Sequence, residues 1–415
     1  MNIFLYNIVN FKSKYIKKMP KPIVTFPRMG SSWVAFKALI ESLDAEVVLP
    51  TPVNRELVKF GVKHSPEFVC FPFKTTLGEL KSALDKGANT IIMAIDCGPC
   101  RFGFYASVQE RIFRDVGYKD FRLVPLDQAD LLDFGWVKTL FAVNQVGGLF
   151  KYSNFVKAVI FFLKKSLYLQ NIHTAEGIFR AYEREQGATT KIVNRLFHKL
   201  DQANTLHELR NFKSVIREDF NKLDIDKSRD PLKVGLAGEI YITLEPYVNL
   251  DIRRRLGEMG VEIYQSLSLY DWITHKLHVN FHRKWLEYVA KQYMPMDIGG
   301  EAVWVLGQYI DNAKAGFDGF VHQYPFTCMP EITARTIITN KLKKKYDLPI
   351  IYFSFDEQSG VEGFRTRLEA FLDLMSARRE HLREKQKNVD NVPLISNNHY
   401  GNLFYRECLQ LVQQN

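Results

Sequence analysis

The sequence predicts an α/β protein: two Rossmann-like domains, each a doubly wound and mostly parallel sheet, with a helical insert between them. Three observations predict it. Short β-branched runs alternate with helical windows over residues 22–130. Helical periodicity replaces that alternation over residues 136–230, and the alternation resumes from residue 231. Strands spaced by helix-length windows pair in parallel through crossover helices.

The first domain spans residues 20–135. Its candidate strands are 23–26, 46–49, 68–71, 90–95 and 122–125, with helical windows at 33–43, 54–60, 77–86 and 104–116. The helical segment spans 136–230, where Leu196, Leu200, Leu206 and Leu209 recur near helical spacing with charges between them. Lys227-Ser-Arg-Asp-Pro231 is a turn cluster that closes it. The second domain spans 231–383. Strands are expected at 233–240, 261–265, 319–324 and 350–355, and helices at 251–259, 301–315, 331–346 and 363–379. Residues 384–415 form a polar tail with no clear period. Residues 1–19 read as an extension in which an apolar run precedes the lysines, the reverse of a secretory signal, and Met19 is itself a plausible start. The expected compartment is the cytoplasm.

Composition narrows the class. The 415 residues carry 56 Lys+Arg against 46 Asp+Glu, a net charge of +10, and 46% are hydrophobic. That balance excludes a disordered chain, a collagen-like one and a disulfide-dense module. No run of about 18 apolar residues exists, which excludes a membrane-embedded helix. The basic runs at 341–345 and 378–387 have acids nearby, and no helix-turn-helix, zinc-finger or RNA-recognition pattern occurs. Neither a nucleic-acid partner nor a membrane is expected.

The five cysteines carry the chemistry. Cys70 falls at the end of the 68–71 run, Cys97 and Cys100 follow the 90–95 run, and Cys328 follows the 319–324 run. In open α/β sheets, ligands bind outside the carboxyl ends of the strands. Each of the four sits beside Pro or Gly in a turn that presents sulfur. Cys408 reads instead as a small buried hydrophobe. Three chemistries fit four convergent thiolates. One is an iron–sulfur cluster. The second is a structural zinc site, although zinc usually draws two close pairs within one small module. The third is a dithiol redox centre at Cys97-Gly-Pro-Cys100, where a helix start would lower a thiol pKa.

The sequence resembles the proteins related to the components and activases of 2-hydroxyacyl-CoA dehydratases. The resemblance lies in Phe26-Pro-Arg-Met-Gly30, Ser65-Pro-Glu-Phe-Val-Cys-Phe-Pro-Phe-Lys74, Cys97-Gly-Pro-Cys-Arg-Phe-Gly103, Gly238-Glu-Ile-Tyr241, Asn249 with Leu256-Gly257, Pro325-Phe-Thr-Cys-Met-Pro-Glu-Ile332, Phe355-Asp-Glu and Thr366-Arg-Leu-Glu-Ala-Phe371. It covers residues 22–379 and is thin in the helical middle. The resemblance implies an iron–sulfur cluster held between the α/β domains by Cys70, Cys97, Cys100 and Cys328. It implies a four-iron, four-sulfur cluster, with a larger or double cluster as the alternative. It also implies a partner, an actin-like ATP-dependent activase with its own cluster, that injects a low-potential electron for reductive or radical dehydration of an acyl-CoA or other small molecule. A paralogous subunit is a further partner of this kind of system, and a non-catalytic electron-carrying or scaffold role is the alternative function.

The chain departs from that pattern twice. It reads Ile298-Gly-Gly-Glu301 where relatives tend to have a Gly-Gly-His-Gly-like turn. It reads Asp356-Glu-Gln-Ser-Gly360 where they tend to have Asp-Glu-His-Thr-Gly. Each departure removes a histidine, so proton transfer or ligand steering by that residue is altered here.

Other residues have a functional and a bland reading. Lys74 and Arg101, shortly beyond cysteines, would neutralise a thiolate site or simply face solvent. Glu331, Asp356 and Glu357 are candidate acid–base groups. Glu331 also suits a helix start, and the other two would also cap a turn. Gly30-Ser-Ser32 opens a helix and would cradle a phosphate, but it lacks a Walker or GxGxxG pattern. His322 lies near the proposed cluster, where a hydrogen-bonded core histidine is the commoner case.

Overall fold

A computed structural model describes residues 21–95, 100–127, 152–387 and 403–414. The first domain runs β1 (Ile23–Thr25), α1 (Trp33–Glu41), β2 (Glu46–Val47), α2 (Arg55–His64), α3 (Phe71–Asp85), β3 (Thr90–Ile95), α4 (Tyr105–Asp115) and β4 (Arg122–Asp127). The helical segment holds α5 (Tyr152–Phe179), α6 (Ala188–Gln202), α7 (Leu206–Arg210) and α8 (Phe212–Asn221). The second domain runs β5 (Leu232–Gly238), α9 (Ile240–Leu244), α10 (Ile252–Glu258), β6 (Val261–Tyr264), α11 (Leu269–Lys276), α12 (Phe281–Ala290), α13 (Ala302–Lys314), β7 (Gly319–Pro325), α14 (Met329–Ile337), β8 (Ile350–Phe355) and α15 (Val361–Lys387). A last helix, α16 (Leu403–Gln414), follows. None of the described helices is long and apolar enough to cross a membrane.

The two sheets share one topology. Their orders are β2-β1-β3-β4 and β6-β5-β7-β8, and every pairing is parallel. The predicted pair of doubly wound domains is therefore present. In each sheet the winding reverses between the first and third strands, so the switch points lie at β1/β3 and β5/β7. The central strand β7 is buried at all seven positions because helices cover both of its faces. Its alternate residues feed different cores: Phe320 packs with the helical segment, Val321 with the opposite face.

Two expectations fail. The tail expected over residues 384–415 contains α16, whose Phe404, Tyr405, Cys408 and Val412 recur at helical spacing and are buried in the main core. Residues 68–71 form no strand. Phe68 adopts a left-handed conformation (φ 57°), which ends any extended run. Pro72 then sits in the first turn of α3, where its missing N–H costs nothing. The helix therefore begins at Phe71, six residues before the expected 77.

The domains meet through apolar clusters that ignore the chain boundaries. Val34, Ala35 and Ala38 of α1 share one cluster with Phe161, Leu169 and Ile172 of α5 and with Tyr309 and Phe320 of the second domain. Phe71, directly after Cys70, packs with Val234, Leu236, Tyr241 and Ile242 of the second domain. Burying a side chain of that size contributes about 2–3 kcal/mol, and here it fixes the start of α3 against β5.

Polar contacts complete the joint. The Gly30 amide donates to the Glu245 carboxylate at 2.8 Å. The Tyr241 hydroxyl donates to Glu79 at 3.1 Å, and Glu79 has no solvent exposure. Burial, with Glu245 nearby, pushes the Glu79 carboxyl up to about 8, against the smaller opposing effects of Tyr241 and Arg28. Burial raises Glu245 as well and lowers Arg28. The joint therefore carries a neutral acid at pH 7, and its polarity is met by hydrogen bonds rather than by a full ion pair.

Two predictions follow from this joint. A Cβ at Gly30 (φ 62°) would stand 1.9 Å from the Leu244 carbonyl oxygen, whereas one at Gly87 (φ 96°) would meet nothing within 4 Å. Gly30→Ala should therefore cost about 2–4 kcal/mol through clash and strain, and Gly87→Ala only about 1. Urea midpoints of the two variants measure the difference. The second concerns pH. Between the ordinary glutamate value of 4.5 and about 8, the folded state keeps a proton on Glu79 that the unfolded chain releases. Its contribution is full below 4.5 and is lost as pH rises to about 8. Glu79→Gln, which keeps the neutral shape, should gain on the order of 2–4 kcal/mol relative to the parent chain between about pH 5 and about pH 8.5. Equal pH slopes for the two proteins would contradict the assignment.

Candidate functional site

The carboxyl ends of both sheets face the joint between the domains, and three cysteines lie there. Cys70 is the N-cap residue of α3, and Cys328 is the N-cap residue of α14. Cys100 is the N-cap residue of a 3-10 turn, Arg101–Phe104, that leads into α4. Cys70-Phe-Pro and Cys328-Met-Pro are the same device: sulfur at the cap, Pro in the first turn. Helix starts leave amides unpaired and carry the positive end of the dipole, which favours negative sulfur. Cys70 thus does not end a strand as the sequence suggested; it starts a crossover helix. Cys97 lies outside the described residues.

Burial works against ionisation. Cys70 and Cys328 are 8% and 6% exposed, and Cys100 is half-buried. Burial pushes the Cys70 thiol up, while a hydrogen bond from the Tyr105 hydroxyl opposes it. Burial pushes Cys328 up further, assisted by the nearby Glu331 and Glu239, and Cys70 itself adds to the effect. Cys70 is thus near enough to Cys328, across the domains, to add slightly to its shift. Among the described residues, no three His, Cys, Asp or Glu side chains stand close enough together to hold a metal ion.

One carbonyl ties the cysteine loops together. Phe68, two residues before Cys70, accepts from the Thr327 hydroxyl at 3.0 Å and from the Arg101 guanidinium. Thr327 precedes Cys328, and Arg101 follows Cys100. Arg101 also reaches the Thr327 hydroxyl at 3.5 Å. Phe68 (φ 57°) and Thr327 (φ 70°) are both left-handed, a costly state for a bulky or β-branched residue, on the order of 1–3 kcal/mol each. Arg101 therefore braces loops, a role its position beside Cys100 did not disclose.

Beneath Cys328 lies a buried acid cluster. Glu331, fully buried in the first turn of α14, meets His322 Nε2 at 2.6 Å. Burial pushes Glu331 up to about 8 and lowers His322 to about 3, with Arg335 adding to the latter. Burial thus disfavours the charged form of each partner, and one hydrogen bond joins the carboxyl and the ring nitrogen. Glu301 is buried beside Arg283 (3.3 Å); burial pushes it up to about 8. Glu239 caps α9 by accepting the amides of Tyr241 and Ile242, and burial raises it to about 7. Sequence reasoning singled out Glu331 and His322 but missed Glu239, Glu301 and Tyr105. Glu239 did carry a signal: an acid directly after a strand and before a helix.

The remaining candidates are engaged by neighbouring groups. Lys74 and Glu357 pair with each other across the domains at 2.7 Å, both mostly buried. Asp356 accepts from the Gln358 amide (2.9 Å) and the Ser359 hydroxyl (3.1 Å), so it caps its own turn. The Gly30-Ser-Ser32 turn cradles no phosphate, because the Glu245 carboxylate takes the Gly30 amide and His173 meets Ser31 at 2.8 Å. Cys408 is 1% exposed within the core, as expected. A depression of about 430 Å³, including its open mouth, lies beyond β6, lined by Gln170, His173, Arg253, Gln265 and Ser268 among others. Its polar groups already satisfy one another: Arg253 donates to Gln265 at 2.6 Å, and Gln170 to Asp271 at 2.6 Å. The cysteine joint, rather than this depression, is the better candidate site.

No protein-family model matches this chain, and no curated protein matches it.

The Lys74–Glu357 pair gives a direct test of the domain joint. A double-mutant cycle with Lys74→Met and Glu357→Gln should return a coupling of about 1 kcal/mol, whereas the exposed Lys59–Glu56 pair should return little.

Proposed function

We propose that this chain is an iron–sulfur protein of the kind its motifs resemble, related to the components of 2-hydroxyacyl-CoA dehydratases. In this reading it accepts low-potential electrons from an ATP-dependent actin-like activase. The electrons serve reductive or radical dehydration of a CoA thioester or another small molecule. The observation that supports it best is the placement of Cys70, Cys100 and Cys328 at three helix starts drawn from both domains. Cys97 joins the set by its motif.

The residues suit the group by donor chemistry. Thiolates are the usual ligands of iron–sulfur clusters, and a negatively charged cluster is favoured by helix N-termini. When bound, such a cluster supplies one-electron transfer. The chain's own residues do the rest. Tyr105 directs its hydroxyl at the Cys70 sulfur, and hydrogen bonds to sulfur are one lever on a cluster's potential. Phe71 and Phe73 seal the base of the Cys70 helix in two different cores. Glu331 and His322 hold a proton between them, out of contact with water.

A second reading is the non-catalytic electron carrier. It is favoured by the engagement of the candidate acid–base groups elsewhere, Glu357 with Lys74 and Asp356 with its own turn.

Iron and acid-labile sulfide content of anaerobically purified protein tests the assignment. The parent chain and Cys408→Ala should carry both. Cys70→Ser, Cys100→Ser and Cys328→Ser should each lose at least about half, with a changed electron paramagnetic resonance spectrum after reduction. Full content in all three serine variants, or zinc in place of iron, would sink the proposal.

A further inference from the structure

We propose that the outer face of α12 docks the protein on a membrane surface rich in anionic lipid. The helix is two-faced. Arg283, Leu286, Val289 and Ala290 are buried. Phe281, Trp285 and Tyr288, at i, i+4 and i+7, form one outward ridge, with Phe281 80% and Tyr288 71% exposed. Trp285 and Tyr288 stack at 5.8 Å between centroids. The ridge continues into the preceding turn, where Leu277 and Val279 are also exposed. Exposed apolar side chains that run together in this way mark an interaction surface.

The charge beside the ridge selects the occupant. Lys284 and Lys291 are exposed at the i+3 positions from Phe281 and Tyr288, so they flank the ridge. The helix has a single acid, Glu287, 39% exposed, and it pairs with His275 (3.3 Å) and accepts from the Trp304 ring nitrogen (3.0 Å). The outward face is thus aromatic and basic, and its one partly exposed carboxylate is already engaged by His275 and Trp304. A second copy is disfavoured, because a twofold contact would set these lysines against each other. Protein interfaces favour Arg and are depleted in Lys, yet the one Arg of this helix is buried against Glu301. Trp, Tyr and Phe on one arc with Lys beside them is the composition of a helix lying in the lipid headgroup region. The chain's net charge of +10 acts in the same direction. The contact is peripheral, since no described helix spans a bilayer. It runs against the expectation, from sequence, of no membrane partner, and the vesicle experiment decides between them.

The test uses the full chain and co-sedimentation with vesicles of phosphatidylcholine alone or with about a third phosphatidylserine. Binding should require phosphatidylserine and fall with added salt. Lys284→Glu with Lys291→Glu should lower the partition coefficient at least about tenfold. Phe281→Ala with Tyr288→Ala should lower it by a similar factor. Both double variants alter only exposed positions, and circular dichroism with urea midpoints checks that they fold. No binding to phosphatidylserine vesicles, or binding that neither double variant weakens, would overturn the proposal. So would capture by immobilised polyglutamate without vesicle binding, which assigns the face to an acidic protein instead.

Discussion

The Thr327 hydroxyl of the second domain and the Arg101 guanidinium of the first both donate to the carbonyl of Phe68. That shared acceptor joins segments 259 residues apart. It draws the loops before Cys70 and Cys328 and the turn after Cys100 into one place. Phe68 and Thr327 hold left-handed conformations there that neither side chain favours. The strain is tolerated because the surrounding joint over-determines it. Phe71 is packed into the second domain's core, Gly30 is bonded to Glu245, and Lys74 is paired with Glu357.

Local chemistry then follows from topology. Two sheets with the same strand order face their carboxyl edges toward each other, so each switch point contributes a loop and a helix start. Sulfur stands at two of these starts, Cys100 after β3 and Cys328 after β7, and a carboxylate, Glu239, at a third after β5; Cys70 joins them from the start of α3, within the β2–β3 crossover. The sulfurs sit where amides and dipoles favour negative charge, while burial opposes ionisation of Cys70 and Cys328. In the proposed function, a bound cluster would resolve that conflict by taking the place of the proton. The acids around Cys328 resolve theirs by staying protonated, as Glu331 does against His322.

Much of the frame was legible in the sequence, for definite reasons. Residues 90–95 and 319–324 read as strands and lie in strands, because interior parallel strands are largely apolar runs bounded by turns. Periodicity likewise disclosed the helices of the middle segment, where Leu196, Leu200 and Leu209 are fully buried. Residues 68–71 misled because a short aromatic and β-branched run imitates a strand, and periodicity does not register a left-handed Phe68. The hairpin of α11 and α12 gave little signal, since its aromatic residues, Tyr270, Trp272, Phe281, Trp285 and Tyr288, are half-buried or exposed rather than aligned on a buried face. Long-range pairs were the least legible. Lys74 and Glu357 are 283 residues apart, and nothing local in either segment announces the other. Two candidate functional groups thus turned out to be each other's partner. Glu239 and Glu301 were missed because a buried acid looks like a surface acid until the fold covers it.

The cysteine joint as a place where thiols of both domains act together is the central claim. Anomalous diffraction at the iron edge, from crystals grown and mounted without oxygen, tests it most directly. The account predicts one compact iron peak between Cys70, Cys100 and Cys328, absent below the edge. Iron density elsewhere, or electron density showing Cys328 turned away from Cys70 with no scatterer between them, would contradict it.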